Sequence, residues 1–212
     1  MFYDKAKRLI DIMFAVTLLI LLSPVILITA IAIKLDSSGP VLADTPARVG
    51  KNGKKFRMYK FRSMFQNAHD VLTTDPKYKH LFEEYKKSGY KLKNDPRITK
   101  VGRVIRKYSI DEVPQFLNVI RGDMSIVGPR AYYPDELENQ QKKYPNTQNA
   151  VRIVLSVKPG ITGVWQVTGR SEIKFDKRIK LDADYAKRRS VFYDIYIILR
   201  TPFAILSGRG AL

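Results

Sequence analysis

The segment from Leu9 to Ile33 is apolar almost throughout, with Asp11 near its start and Ser23-Pro24 near its middle. No other stretch restricts the fold as strongly. As one straight helix it would run roughly 37 Å at ~1.5 Å per residue, enough to cross a bilayer. It is too long for the apolar region of a secretory signal, and no small-residue cleavage site follows it before Lys34. Two arrangements fit: a simple transmembrane anchor with a proline kink, or a re-entrant hairpin. The flanks favour the hairpin. Lys5, Lys7 and Arg8 precede the run, and Lys34, Arg48, Lys51, Lys54 and Lys55 follow it. Basic flanks prefer the cytoplasmic side, and here both ends carry them. Pro24 removes a helix hydrogen bond and disfavours helical backbone at Ser23, whose hydroxyl can pair with a freed backbone group. We expect residues 1–36 to form a re-entrant membrane helix–break–helix with both ends at the cytoplasmic face. Residues 37–212 then form a separate domain on that face.

The remaining sequence is that of a globule with a strong positive field. Of 212 residues, 38 are Lys or Arg and 20 are Asp or Glu, a formal charge of +18. This excess calls for anionic partners: nucleic acid, phosphorylated small molecules or anionic lipid. No helix-turn-helix or zinc pattern is evident, and a nucleic-acid binder has no use for the apolar run. The absence of cysteine excludes disulfides, thiolate metal sites and a Cys nucleophile.

Gly39–Met64 reads as a hairpin turning at Gly50-Lys51-Asn52-Gly53, with Lys60 and Arg62 on one face of its second strand. Residues 66–94 read as one or two surface helices, with solvated His69 and His80. Val113, Phe116, Leu117 and Ile120 recur at helical spacing before a C-capping Gly122. That helix has two possible starts. Ser109 and Glu112 could make a capping box, which leaves Pro114 inside the hydrogen-bonded turns. With Asp111 as N-cap, Pro114 falls in the first turn, and we prefer this start. Val157–Arg170 reads as a loop-rich platform with short β pieces, and 175–189 as a basic helix. The stretch 191–206 is apolar but interrupted by Asp194, Arg200 and Pro202. It suits an interfacial helix and a core helix equally.

Asp111 and Glu112 are the first candidates for chemistry. Adjacent acids at a helix start are ordinarily caps. Here Arg97, Arg103, Arg106 and Lys107 precede the pair, and Arg121 and Arg130 follow it. Such cations should keep a carboxylate ionised and also attract phosphate. An Asp nucleophile attacking phosphorus needs a low pKa, neutralised target oxygens and usually a divalent metal. Asp123, Asp182 and Asp184 are further possible metal or supporting groups.

The order of motifs carries a resemblance. The Ser23-Pro24 break, GPV at 39, RVGKNGKKFRMYKFRSM at 48, DPRITKVGRVIRKYSIDEVPQFLNVIRGDMSIVGPR at 95 and KPGITGVWQVTGR at 158 run through nearly the whole chain. In this the chain resembles the bacterial sugar transferases, the monotopic phosphoglycosyl transferases, and its length resembles their small form. The resemblance implies a mixed α/β, mostly helical fold with the re-entrant helix in one leaflet, interfacial amphipathic helices and a catalytic domain over 37–212. It implies transfer of a sugar-1-phosphate from a UDP-sugar to polyprenyl phosphate at the inner face of the bacterial cell membrane, with release of UMP. This is the step that initiates glycan assembly. The cofactor implied is Mg2+. Asp111 becomes the nucleophile and metal ligand, and Glu112 its partner in the dyad. Arg130, Arg106, Arg97, Lys60, Arg62, Arg170 and Asp182 become candidates for binding substrate. The implied partners are a nucleotide-sugar donor, the lipid acceptor and membrane lipids, with no nucleic acid. A catalytically inactive membrane scaffold of the same fold is the alternative. Two departures from the family pattern, Asp44-Thr45-Pro46-Ala47 and Ala131, fall on loops outside the dyad.

Overall fold

The computed structural model describes residues 2–87, 92, 94–169 and 173–206. Its first two helices, α1 (Phe2–Leu21) and α2 (Ser23–Asp36), meet at a 62° bend. The bend falls at Leu22, one residue before the expected break. Ser23 is itself helical, contrary to expectation, because Pro24 lies in the first turn of α2, where no hydrogen bond is lost. The start of α2 carries no side-chain cap, so the Ser23 hydroxyl does not stabilise the bend in that way. Among the described residues no single helix is long and apolar enough to cross a membrane; the bent pair qualifies only jointly.

Strands β1 (Arg48–Val49) and β2 (Lys55–Phe56) pair antiparallel around a turn at 51–53. The expected hairpin is therefore present but short, and Lys60 and Arg62 lie beyond its paired part. Helices α3 (Ala68–Thr74) and α4 (Lys79–Lys87) follow, with both histidines exposed. Next come α5 (Lys100–Lys107), a 3-10 turn at 110–112 and α6 (Gln115–Arg121). Gly122 ends α6 at φ 90°, the left-handed conformation expected of a glycine C-cap. Neither expected start of α6 occurs. Pro114 is its N-cap, Asp111 sits in the preceding 3-10 turn, and the Ser109 side chain makes no cap.

Strand β3 (Ser125–Val127) pairs in parallel with β4 (Gly160–Thr162). The crossover between them contains α7 (Pro134–Lys143) and α8 (Gln148–Leu155). The chain closes with α9 (Val164–Thr168), α10 (Phe175–Arg188) and α11 (Val191–Leu206). The fold is thus mostly helical with two small sheets.

The main core joins Ala15 of α1 to Phe116 and Val119 of α6, Ile126 and Val127 of β3, and Ile197 of α11. Polar groups on the first half of α1 also turn inward. Asp11 accepts the Ile126 N–H at 3.1 Å, and Arg8 donates to the Val119 and Ile120 carbonyls at the end of α6. Lys7 reaches Asp194 of α11 at 2.7 Å, and Tyr185 donates to the same carboxylate at 2.6 Å. The opposite faces stay apolar and exposed. Leu9, Met13 and Ile20 on α1, Leu27, Ile28 and Leu35 on α2, and Phe192, Leu199 and Phe203 on α11 are all more than half exposed. Helix α11 is therefore both core and surface: Asp194 and Ile197 are buried while an aromatic and aliphatic face stays open.

Candidate active site

The Asp111–Glu112 turn sits at the floor of an open cavity of about 950 Å³. Below it, Ile110 and Val113 pack with Phe61, Ile105 and Ile33 of α2. The second arm of the bent pair therefore lies directly under the dyad. The Asp111 carbonyl accepts the Phe61 N–H at 2.9 Å, tying the turn to the segment after β2. Ser109 enters the turn at φ 57°, a backbone conformation uncommon for a residue with a side chain, and it too lines the cavity.

Lys60 completes the pair. Its ammonium lies 2.7 Å from Glu112 Oε1 and 3.7 Å from Asp111 Oδ2. Burial lowers its pKa, but the two carboxylates outweigh burial and hold it above the ordinary lysine value. Asp111 departs from the low pKa expected from its sequence neighbours. Burial pushes its carboxyl above the usual range; Lys60 and Arg106 pull the other way, and Glu112 reinforces the rise. Asp111 is almost fully buried and does not begin a helix, so the desolvation of its charge dominates.

Arg130 forms the other wall, following β3. Its guanidinium lies over the Trp165 ring at 5.3 Å and 3.8 Å from the fully buried Glu136. Arg178 of α10 approaches the same Glu136 at 3.0 Å. The two glycine motifs bring this wall into place. Gly128 donates to the Thr162 carbonyl, and Gly160 to the Pro129 carbonyl. The backbones approach so closely that a Cβ on Gly160 would stand 2.0 Å from Gly128 N.

The other candidate binding residues divide. Arg106 lines the cavity within electrostatic reach of Asp111. Arg62 borders the cavity, but its guanidinium is engaged by the Pro40 carbonyl and by Ser37, which ties down the end of α2. Arg97 makes a closed, buried pair with Asp95 at 2.6 Å and donates to the Ala68 carbonyl, anchoring α3. Arg170 lies outside the described residues. Asp182 sits one layer behind the cavity. Its Oδ2 accepts the Arg130 backbone N–H at 3.1 Å and faces the Tyr132 hydroxyl at 3.4 Å, so it positions Arg130. Asp184 pairs with Arg188 at an exposed surface, and Asp123 faces Arg121 at 3.7 Å.

Sequence reasoning missed Asn118, Glu136 and Trp165. Asn118 is fully buried on α6; it accepts the Tyr59 N–H and donates to the Arg57 carbonyl, which seats the segment carrying Lys60. A polar residue on the apolar face of α6 was the available signal. Two residues of the first loop departure have partners: Thr45 donates to the Met58 carbonyl, and Asp44 pairs with Arg57.

Among the described residues no group of three or more acidic, His or Cys side chains forms a metal cage. Asp111 and Glu112 are two hard oxygen donors facing a cationic cavity. That donor set fits a magnesium ion shared with substrate phosphates, a common arrangement for that ion.

Residues 2–208 match the profile of the bacterial sugar transferases. The chain belongs to that family. It is 43% identical over 209 residues to the undecaprenyl-phosphate galactose phosphotransferase of Salmonella typhimurium, covering 97% of this chain and 41% of that protein. It is 39% identical over 210 residues to the UDP-glucose:undecaprenyl-phosphate glucose-1-phosphate transferase of Escherichia coli, with the same coverage. Against the exopolysaccharide production protein ExoY of Rhizobium meliloti it is 38% identical over 207 residues, covering 97% and 88%. The chain thus spans about two fifths of several curated relatives and most of ExoY. The motifs that carry the resemblance coincide with the dyad turn, the glycine apposition and the Arg130 wall.

Asp182 gives this candidate site a testable proton. Burial pushes its carboxyl from 3.8 to about 7, against the pull of the Arg130 N–H and of Arg178. The folded protein holds this proton more tightly than the unfolded chain does. The resulting stability is complete below the unfolded value and is lost as pH rises through about 7. Asp182→Asn should flatten the stability profile between those limits, where the native slope reaches at most about 1.4 kcal/mol per pH unit. Denaturant titrations at a series of pH values check this; an unaltered slope would assign the proton elsewhere.

Proposed function

We propose that the protein transfers a sugar-1-phosphate from a UDP-sugar to polyprenyl phosphate and releases UMP, as the membrane step that starts a surface glycan. The observation that carries this reading is the Asp111–Glu112–Lys60 cluster at the floor of a cationic cavity, directly above α2. The named activities of the Salmonella and Escherichia relatives support it.

An Asp111 oxygen attacks the sugar-bearing phosphorus, and the bond from that phosphorus to the UMP oxygen breaks. UMP departs and leaves an aspartyl phospho-sugar. Lys60 offsets the repulsion between the carboxylates and the incoming diphosphate. In the second half, an oxygen of polyprenyl phosphate attacks the same phosphorus and releases the Asp111 carboxylate. Glu112, the more exposed member of the dyad, takes the acceptor's proton. Magnesium, held by Asp111 with the phosphate oxygens, would add charge neutralisation. A panel of UDP-sugars, assayed for UMP release with polyprenyl phosphate and magnesium, tests the reading. Lack of turnover with every donor would favour the inactive scaffold.

The apolar faces of α1, α2 and α11 are the surface we assign to lipid, at the cytoplasmic face of the cell membrane. Both ends of the bent pair then lie on that side. Cysteines placed at Phe2 and Ser37 should both resist an impermeant reagent applied to intact cells. Labelling of one site would restore a simple transmembrane span. A companion variant, Pro24→Ala, should straighten the pair, since a continuous helix would place Pro24 in its interior at a cost of about 3 kcal/mol. Unchanged labelling in that variant would assign the bend to packing instead.

A further inference from the structure

We propose that Arg48 is a second phosphate-binding guanidinium, which acts with Arg130 to hold the leaving phosphate of the nucleotide. This rests on the donor reading above and adds a residue to it.

Arg48 opens β1 and lines the same cavity as the dyad and Arg130, yet it is only 8% exposed. A guanidinium has five N–H donors. Among the described residues, that of Arg48 makes one hydrogen bond, from Nη1 to the Ala131 carbonyl at 3.1 Å. Its Nε is enclosed and has no partner. Among the described residues no carboxylate makes an ion-pair contact with it: Glu136, whose field reaches Arg48, is engaged by Arg130 and Arg178. Burial lowers the Arg48 pKa, with the charge of Arg130 adding to it, and Tyr133 and Glu136 offset this only in part. A buried cation without a counter-charge is costly to a fold.

The surroundings hold this charge in a fixed plane. The Arg48 guanidinium lies 3.3 Å from the centre of the Tyr133 ring. Tyr133 in turn contacts Tyr85 of α4. Ala131, one of the departures from the family pattern, supplies the accepting carbonyl. Residues 131–133 and the 66–94 helices thus brace one guanidinium fork at the cavity wall. Arg130, beside it, also has an enclosed Nε without a partner.

Lys60, Arg48 and Arg130 differ in how their charge is met. Lys60 is matched by the dyad, whereas Arg48 and Arg130 share a wall that lacks enough negative charge. A diphosphate spanning the cavity supplies it, with the sugar-bearing phosphate at Asp111 and the other phosphate between the two guanidinium groups. Planar forks suit phosphate oxygens. As the bond to UMP breaks, negative charge grows on the phosphate they hold.

The test is the binding of UMP and of uridine to the full chain in detergent, by calorimetry. Arg48→Gln should weaken UMP at least about tenfold, as loss of charge-assisted bonds implies, and leave uridine unchanged. Arg48→Lys keeps the charge but loses the fork and should fall between. A folded Arg48→Gln protein with native UMP affinity would overturn the proposal. So would an equal loss of UMP and uridine, which would mark a purely structural role. Should Arg48→Gln fail to fold, Arg48→Lys decides by the same comparison, and native UMP affinity in it overturns the fork. Failure of the wild-type protein to bind UMP or any UDP-sugar would instead remove the donor reading itself.

Discussion

Asp111→Asn is expected to abolish the exchange of labelled UMP into UDP-sugar in the absence of lipid. A two-step transferase can run its first half backwards, so exchange reports the aspartyl intermediate without the acceptor. A neutral amide is a poor nucleophile, and the loss should be on the order of 10³ or more. Asn keeps the volume of the side chain, so the turn that hydrogen-bonds Phe61 should persist. The pH profile supplies a second sign. Because burial raises the Asp111 pKa, the attacking carboxylate is depleted as pH falls through that raised value. Exchange should therefore decline on the acid side earlier than an ordinary aspartate would allow. A wild-type enzyme that shows no exchange, and forms UMP only when polyprenyl phosphate is present, would establish direct transfer. Asp111 would then serve as a metal ligand.

The largest effect on stability should come from Gly160→Ala. Its new methyl would stand 2.0 Å from Gly128 N and 2.4 Å from the Thr162 carbonyl. Both obstacles are backbone, which no side-chain rotation can clear. Relief requires β4 to part from the loop after β3, and that loop carries Arg130. We expect a loss of more than about 4 kcal/mol, at the extreme of single substitutions, and little folded protein. Gly53→Ala is the control. Its backbone is left-handed, at φ 77°, but a Cβ there meets nothing within 4 Å. It should cost about 1 kcal/mol. Chemical denaturation of the two variants compares them directly. A loss at Gly160 no larger than that at Gly53 would refute the close apposition.

These two sites show what the sequence makes legible and what it conceals. Short-range signals read well. The Gly50–Gly53 turn, the Gly122 cap and the helical spacing of 113–120 all rest on local geometry, and all appear in the fold. The start of α6 reads poorly because Pro114, Asp111 and Ser109 each satisfy some local rule, and packing of Ile110 and Val113 on α2 chooses among them. Charges read worst. Arg62, Arg97 and Arg130 look alike in a basic sequence, yet one ties down α2, one anchors α3 and one lines a wall. Their partners are fixed by tertiary structure. The raised pKa of Asp111 is hidden for the same reason, since nearby cations can be read from a chain but desolvation cannot. Arg48 was legible only as a charge beside a hairpin, and its burial under Tyr133 depends on residues some 85 positions away.

The inward polar groups of α1 have a consequence for the order in which the molecule is made. Arg8 waits for the carbonyls of residues 119 and 120, Asp11 for the amide of residue 126, and Lys7 for the carboxylate of residue 194. Helix α1 leaves the ribosome before all of these partners, and the last of them is translated more than 180 residues later. Contacts of such separation form late and slowly. Until then three charged side chains keep this end of α1 from settling into an apolar phase, while the stretch beyond Asp11 is free to do so. On the lipid assignment proposed above, one end of α1 would meet the bilayer while the other is held in water until the later-made core claims it.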